Sequence, residues 1–256
     1  MKLHFSGTGA ADWSPQFQFQ PGYRRNSSAL IDSGLLIDPG PDIFDFAGCF
    51  GYSELFSSLK LLLITHSHRD HFNLQSVKKL AELNSELIIG CDYEIARMLE
   101  NEGIKAVDLR AFEEYTLAAY KVTPLDANHS TELKNEKPFH YVIEKDGKRL
   151  YYATDGAWIL KHSWLWLYKN PGFDAMVFDA TIGFGYPGDF RIFEHNSLEM
   201  LCIMCETLRA QNILKPNCKL IATHLARKLH PEQNTLEESL KQHGIIAAYD
   251  NLSLEI

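Results

Sequence analysis

The sequence predicts an α/β fold in four layers, two mixed β-sheets covered by helices. First, β-rich runs and helix-period runs interleave in both halves of the chain. Second, "LLLIT" at 61–65 reads as a buried strand that runs straight into a polar cluster. Third, no Pro/Gly/Ser-rich linker, repeat or low-complexity tract divides the 256 residues. That continuity predicts a single domain over 1–256, long enough to bury a substantial core.

The elements follow in chain order. "KLHFSG", "SALIDS", "GLLIDPGPD" and "LKLLLITH" are β-rich runs separated by turns. "NLQSVKKLAELN" has helical period, with Leu74, Val77, Leu80 and Ala81 on one face. "ELIIGC" is a strand again, and "DYEIARMLENEG" is a helix closed by Gly103. Residues 105–156 read as several strands, among them a hairpin whose Asp146-Gly147 turn joins two aromatic and β-branched runs. The strand "AMVFDAT", a helix near 197–214, the strand "KLIATH", a helix near 231–243 ending at Gly244, and a last strand complete the chain.

Composition narrows the function. With 45% hydrophobic and 23% charged residues the chain has the profile of an ordinary globular protein. A net charge of −8 argues against coating DNA, though not against a small anionic substrate in a local basic pocket. No signal peptide and no 18-residue apolar run is evident, so no membrane partner is expected. Cys49, Cys91, Cys202, Cys205 and Cys218 are too scattered for a disulfide framework, which points to a reducing cytoplasm. Cys202 and Cys205 form a C-x-x-C, but they share a helical apolar face with Leu198, Leu201 and Leu208, which marks them as core.

Chemistry concentrates after the 61–65 strand, where His66, His68, Asp70 and His71 fall within six residues. In extended chain, residues i and i+2 share a side, so His66 and His68 can reach one metal ion. As the chain turns, Asp70 and His71 swing toward a second point a few ångströms away. A polar loop with accidental histidines would explain a lone pair of them, but not three with an aspartate. Two ions need more ligands, and His129, Asp155 and His224 supply candidates at the ends of other predicted strands.

"THSHRDH", "NHS", "ATDG" and "ATHLA" in that order, with "GTG" near the start and "LLIDPG" before the cluster, resemble the metallo-β-lactamase superfamily. The resemblance covers nearly the whole chain and implies the αβ/βα sandwich of that fold. It implies one ion on His66, His68 and His129, another on Asp70, His71 and His224, and Asp155 bridging them. "FEHNSLEM" and "RRNSSALID" look closest to the phosphodiesterase-like branch, with its phosphoribosyl 1,2-cyclic phosphate phosphodiesterases and ribonuclease Z-like members. In that branch a histidine placed like His195 contacts the scissile phosphate or protonates the leaving group. Some relatives carry a cysteine-rich structural zinc site where this chain reads "SPQFQFQPGYRRN", so no structural zinc is expected.

The ligand set holds no thiolate, which suits Zn²⁺ first and Mn²⁺ or Fe as alternatives. The reaction expected is hydrolysis of a small phosphodiester, cyclic ones included, by a metal-bridging hydroxide between ions ~3.5–4 Å apart. Asp70 and His195 are the expected catalytic residues. His195 precedes Asn196, a good N-cap, with Glu199 three residues on, so the helix is expected to begin there and to favour an anion. Arg25, Arg69, Arg191 and Arg227 are candidates for a substrate phosphate, with a structural arginine the safer reading of any one. Asp38 and Thr8 are read as supporting or turn positions, and "IGFGYPGDF" as a site edge. The run "WILKHSWLWLYKNPGF" is core or an oligomer contact, as in a homodimer, before it is a pocket wall.

Lactone or thioester hydrolysis on the same site is the first alternative. RNA processing is disfavoured because no Gly/Pro-rich arm is present to grip RNA. A redox-active di-iron protein or a non-catalytic binding member is the alternative of another class.

Overall fold

The computed structural model describes residues 1–256, the side chain of Ser53 excepted. Its fourteen strands form two seven-stranded sheets. The first sheet comprises β1 (Lys2–Gly7), β2 (Ser28–Ile31), β3 (Leu35–Ile37), β4 (Leu61–Leu63), β5 (Ile88–Cys91), β6 (Val107–Asp108) and, from the far end of the chain, β14 (Ser253–Glu255). Their order is β14-β1-β2-β3-β4-β5-β6, antiparallel as far as β3 and parallel from β3 to β6.

The second sheet has the same plan. It comprises β7 (Tyr115–Leu117), β8 (Tyr120–Asp126), β9 (Phe139–Lys145), β10 (Lys148–Ala153), β11 (Phe173–Asp179), β12 (Leu214–Thr223) and β13 (Ile245–Ala247). Strands β7 to β10 pair antiparallel and β10 to β13 parallel. Asp146 and Gly147 turn the β9–β10 hairpin with φ of 51° and 73°, the left-handed values that suit a tight two-residue turn and an Asp-Gly pair.

Parallel neighbours need crossovers, and helices provide them. Between β3 and β4 runs α1 (Ile43–Phe50); α2 (Leu74–Leu83) and α3 (Tyr93–Asn101) follow on the same sheet. On the second sheet lie α4 (Lys161–Lys169), α5 (Leu198–Ala210) and α6 (Gln233–Lys241). Side-chain alternation along the strands sorts the interior into three cores. Leu61 and Leu63 join Phe5, Ile31, Tyr141, Tyr152 and Val177 between the sheets. Leu62 and Ile64 face the other way, onto Phe46, Val77, Leu80 and Ile95 of the first helical layer. Tyr151, Met176 and Phe178 meet Leu201, Cys205 and Leu236 of the second. The four-layer arrangement of the sequence analysis is therefore the one observed.

The structure adds or changes three elements. Helix α1, just past "GLLIDPGPD", is an element the sequence reading does not contain, because its eight residues include three Phe and a Gly that give little helical signal. The single last strand is two: β13 continues the second sheet and β14 crosses to the first. The aromatic run forms α4, with Trp164 and Trp166 against the second outer core while Leu165 and Tyr168 stay exposed. Cys202 and Cys205 are buried in α5, as expected of core residues. Among the described residues, no helix is long and apolar enough to cross a membrane.

One core imidazole sets an acid limit on stability. His4 packs beside Tyr52 and Phe46, and its Nδ1 lies 2.6 Å from Ser253 Oγ. Burial, helped by Lys2, pushes its pKa down to about 4. The unfolded chain therefore binds the extra proton first. The stabilisation is complete above about pH 6.5 and is lost as pH falls toward about 4. Denaturant titrations at pH 7.5 and 4.5 are expected to show wild type losing about 1–2 kcal/mol more than His4→Gln, after allowance for solvent screening. Equal losses would remove His4 from the acid response.

Candidate active site

The proposed ligands stand at strand ends. His66 and His68 follow β4, His129 follows β8, Asp155 follows β10 and His224 follows β12. Ends of parallel strands are where layered α/β folds open a crevice. All seven residues come together. His66, His68, His129 and Asp155 form one group whose candidate ligand atoms lie within 4.8 Å of one another; Asp70, His71, Asp155 and His224 form a second. Asp155 belongs to both, and to a third that it forms with Asp179, His195 and His224. Its Oδ2 is 3.2 Å from His66 Nε2 and 2.9 Å from His71 Nε2, and its Oδ1 is 3.0 Å from His224 Nδ1.

Contacts behind the histidines orient the rings. Assigning protons from the network, His66 Nδ1–H donates to Thr65 Oγ1 (3.0 Å), whose hydroxyl donates to Asp38. His71 Nδ1–H donates to Asp38 Oδ2 (2.8 Å), and His129 Nδ1–H to the Glu194 carbonyl (3.1 Å). In each ring Nε2 is left toward the shared space. An outer acceptor on one nitrogen and a free lone pair on the other is the arrangement of a metal-ligating histidine. The buried His66 Nε2 and Asp155 Oδ1 have no hydrogen-bond partner, a cost that a cation at this point removes.

Charge and strain concentrate on the same residues. Burial opposes ionisation throughout, yet His224, His71 and His129 hold the Asp155 carboxyl well below the usual carboxylate range. Burial and the neighbouring His71 push His66 well down, leaving it neutral, whereas Asp155, Asp70 and Asp38 overcome burial to hold His71 well up. Asp38, Asp155 and His224 take φ of 58°, 55° and 58°, left-handed values that cost roughly 1 kcal/mol or more each in non-glycine residues. Gly40 lies so close to the Asp70 loop that a Cβ there would run into the Asp70 carbonyl.

His195 lies beside the second group, its ring stacked on His224 at 5.5 Å between centroids. Its Nδ1 is 2.8 Å from Asp179 Oδ2 and 3.1 Å from Thr181 Oγ1. Burial works against the charge, but Asp179 and Asp155 outweigh it and raise His195 to about 10. The helix start differs from expectation. Ser197 is the N-cap and accepts from the Met200 N–H, so α5 begins after His195 rather than at it. Asn196 instead donates its N–H to Asp179, and the Glu199 carboxylate accepts from the Gly185 N–H. His195 is thus held by a strand-end aspartate, and helix α5 does not supply the anion site assigned to it from sequence.

Two residues went unread in the sequence. Asp179 ends β11 in "AMVFDAT", an apolar strand closing in a carboxylate, which was a usable signal. Glu136 is buried and accepts from the Ser67 N–H (2.7 Å) and hydroxyl (2.5 Å), fixing the residue between His66 and His68. Nothing local marks it, because the partner is 69 residues away. The arginines sort differently. Arg25 pairs with Asp45, Arg69 is exposed over a separate hollow, and Arg191 lines the cleft but is tied to Asp189. The cleft itself measures about 250 Å³ and is lined by His68, Asp70, His129, Asp155 and His195 among others.

Residues 34–198 match the family model described as "Beta-lactamase superfamily domain", more than half of the chain. The chain belongs to this superfamily. The superfamily chain is 32% identical over 93 residues to a UPF0173 metal-dependent hydrolase of Korarchaeum cryptofilum, covering 36% of this chain and 40% of that protein. With a UPF0173 metal-dependent hydrolase of Thermus thermophilus it shares 28% over 142 residues, 53% of this chain and 60% of that one. It thus spans about half the length of the curated relatives it matches. Its fold is that of Zn²⁺-bound PqqB from Methylobacterium extorquens (TM-score 0.77, 16% identity, all of both chains). A diphosphatase of the PhnP family follows (TM-score 0.72, 21% identity, 100% of this chain and 96% of that one). The short form of human tRNase Z gives a TM-score of 0.71 at 15% identity, over 100% of this chain and 99% of that one.

Proposed function

We propose that this superfamily member is a metal-dependent hydrolase that holds two divalent ions and cleaves small phosphodiesters, cyclic ones included. The observation that carries the reading is the Asp155 carboxylate, the one residue common to the His66, His68 and His129 group and the Asp70, His71 and His224 group. His66, His68 and His129 would hold one ion, Asp70, His71 and His224 the other, with Asp155 between them. The naming of the partial sequence relatives as metal-dependent hydrolases supports the same reading. A donor set of imidazoles and carboxylates accepts Zn²⁺, Mn²⁺ or Fe.

A pair of such ions supplies, when bound, a water activated near neutral pH and a clamp for developing negative charge. The chain's own residues do the rest. Thr65, Asp38 and Glu194 keep the imidazoles of His66, His71 and His129 in one tautomer, so that little reorganisation accompanies reaction. His195, held by Asp179 at 2.8 Å from its Nδ1, is placed to donate a hydrogen bond or a proton to the oxygen that leaves. A hydrogen-bond donor fixed at this point suits a phosphodiester, whose oxygens accept, and is not required for a lactone.

Hydrolysis of bis(p-nitrophenyl) phosphate by protein reconstituted with Zn²⁺ or Mn²⁺ tests the proposal. Turnover that needs the metal and stops on chelation is expected. Two bound ions with no turnover of this or an alkyl diester would shift the assignment to lactones or thioesters.

A further inference from the structure

One buried imidazole, His140 in β9, belongs to none of the ligand groups and does not line the cleft. Its Nε2 lies 3.1 Å from the Asp155 carbonyl oxygen and its Nδ1 2.8 Å from the Tyr151 hydroxyl. Taking the metal centre proposed above as given, we infer that His140 is a positioning residue. It holds the Asp155 main chain so that the carboxylate stays between the two ligand groups.

The proton positions follow from the partners. A carbonyl oxygen only accepts, so His140 Nε2 carries the hydrogen and donates to Asp155. Nδ1 then accepts, and the Tyr151 hydroxyl donates to it. Burial pushes His140 down to about 4 and the Tyr151 phenol up, which keeps both groups neutral. The result is a chain from Tyr151 through His140 to Asp155 in which both ring nitrogens are partnered.

Asp155 needs such a hold. It lies two residues beyond the end of β10, where the sheet ladder has stopped. Among the described residues no main-chain hydrogen bond reaches it, and its carbonyl takes its bond from the His140 ring. The residue still keeps a left-handed φ of 55°, from which Oδ2 meets His66 and His71 while Oδ1 meets His224. Relaxation toward an ordinary backbone would re-aim the Cα–Cβ bond and carry the carboxylate away from those histidines. Gly156 makes the approach of the ring possible, because a Cβ there would lie 2.8 Å from His140 Nε2. His140 therefore acts on the centre only through Asp155, as Thr65 and Asp38 act through the ligand imidazoles.

Two amide variants separate the donor from the packing. In His140→Gln the amide nitrogen reaches the place of Nε2 and still donates to Asp155; in His140→Asn it reaches only the place of Nδ1. The Zn²⁺ affinity of each full-length protein is measured by competition with a chromophoric chelator, with thermal melting of the metal-free protein alongside. His140→Asn is expected to bind Zn²⁺ roughly 10- to 100-fold more weakly than wild type, while His140→Gln stays close to wild type. In hydrolysis of bis(p-nitrophenyl) phosphate the Asn variant loses kcat with little change in KM, because His140 does not reach the cleft. Should His140→Asn not fold, Tyr151→Phe, which removes only the far donor, is expected to weaken Zn²⁺ roughly 2- to 10-fold, and unchanged affinity there would sink the role. Wild-type affinity in His140→Asn, or equal losses in the Asn and Gln variants, would likewise overturn it. An Asn-specific loss of Zn²⁺ in a protein that hydrolyses no diester would leave the positioning role standing and remove the hydrolase reading instead.

Discussion

Asp155→Asn is expected to lower diester hydrolysis roughly a thousandfold or more and to reduce bound metal from two ions per chain to one or none. Asn keeps the size of the side chain and tolerates the left-handed backbone at this position, so the fold is retained. What it loses is the charge. Asp155 is completely buried among His66, His71, His129 and His224, within 3.6 Å of each, and one carboxylate serves both groups. Removing several kcal/mol of charge stabilisation from such a site corresponds to three or more decades of rate. Elemental analysis of the purified variant and steady-state hydrolysis read the two effects separately. Full metal content with full activity would exclude Asp155 from the centre. Asp70→Ala is the milder companion, because Asp70 touches only the second group, at 3.4 Å from His71 and His224.

The second large effect concerns the leaving group. If His195 supplies a proton, His195→Ala slows a diester with an alkoxide leaving group by about 10²–10⁴-fold. A p-nitrophenyl diester, whose phenolate departs without a proton, slows much less. The ring already stands fixed by Asp179 and Thr181 and stacked on His224, so alanine at 195 leaves the metal-binding groups in place. Equal losses on both diesters would assign His195 to binding charge rather than to proton transfer. Equal losses on a lactone as well would remove the preference for phosphate.

Most of the candidate site was legible in the sequence for a physical reason. A parallel strand buried on both faces must be apolar, so "LLLIT" running into His66, His68, Asp70 and His71 marks a strand end facing a crevice. The same logic located His129, Asp155 and His224, each just past a strand, and the structure brings all seven into contact distance. Alternation and helical period likewise carried the two-sheet, four-layer architecture. These signals are local, written within a few residues.

What depended on distant partners was not legible. The N-cap moved from Asn196 to Ser197 because Asp179, seventeen residues earlier, takes the Asn196 N–H. Glu136 reaches Ser67 across 69 residues, and Arg24 meets Ala248 across 224. No window of sequence holds both members of such a pair. The four candidate arginines looked alike as neighbours of site residues; only packing separated the paired Arg25 and Arg191 from Arg227, whose buried Nε has no partner among the described residues. Sequence determined the fold class and the candidate ligand residues, because backbone periodicity and ligand chemistry are local properties. Tertiary structure decided which groups stay neutral, charged or unpaired, because desolvation and hydrogen-bond satisfaction are set by whatever the fold places alongside.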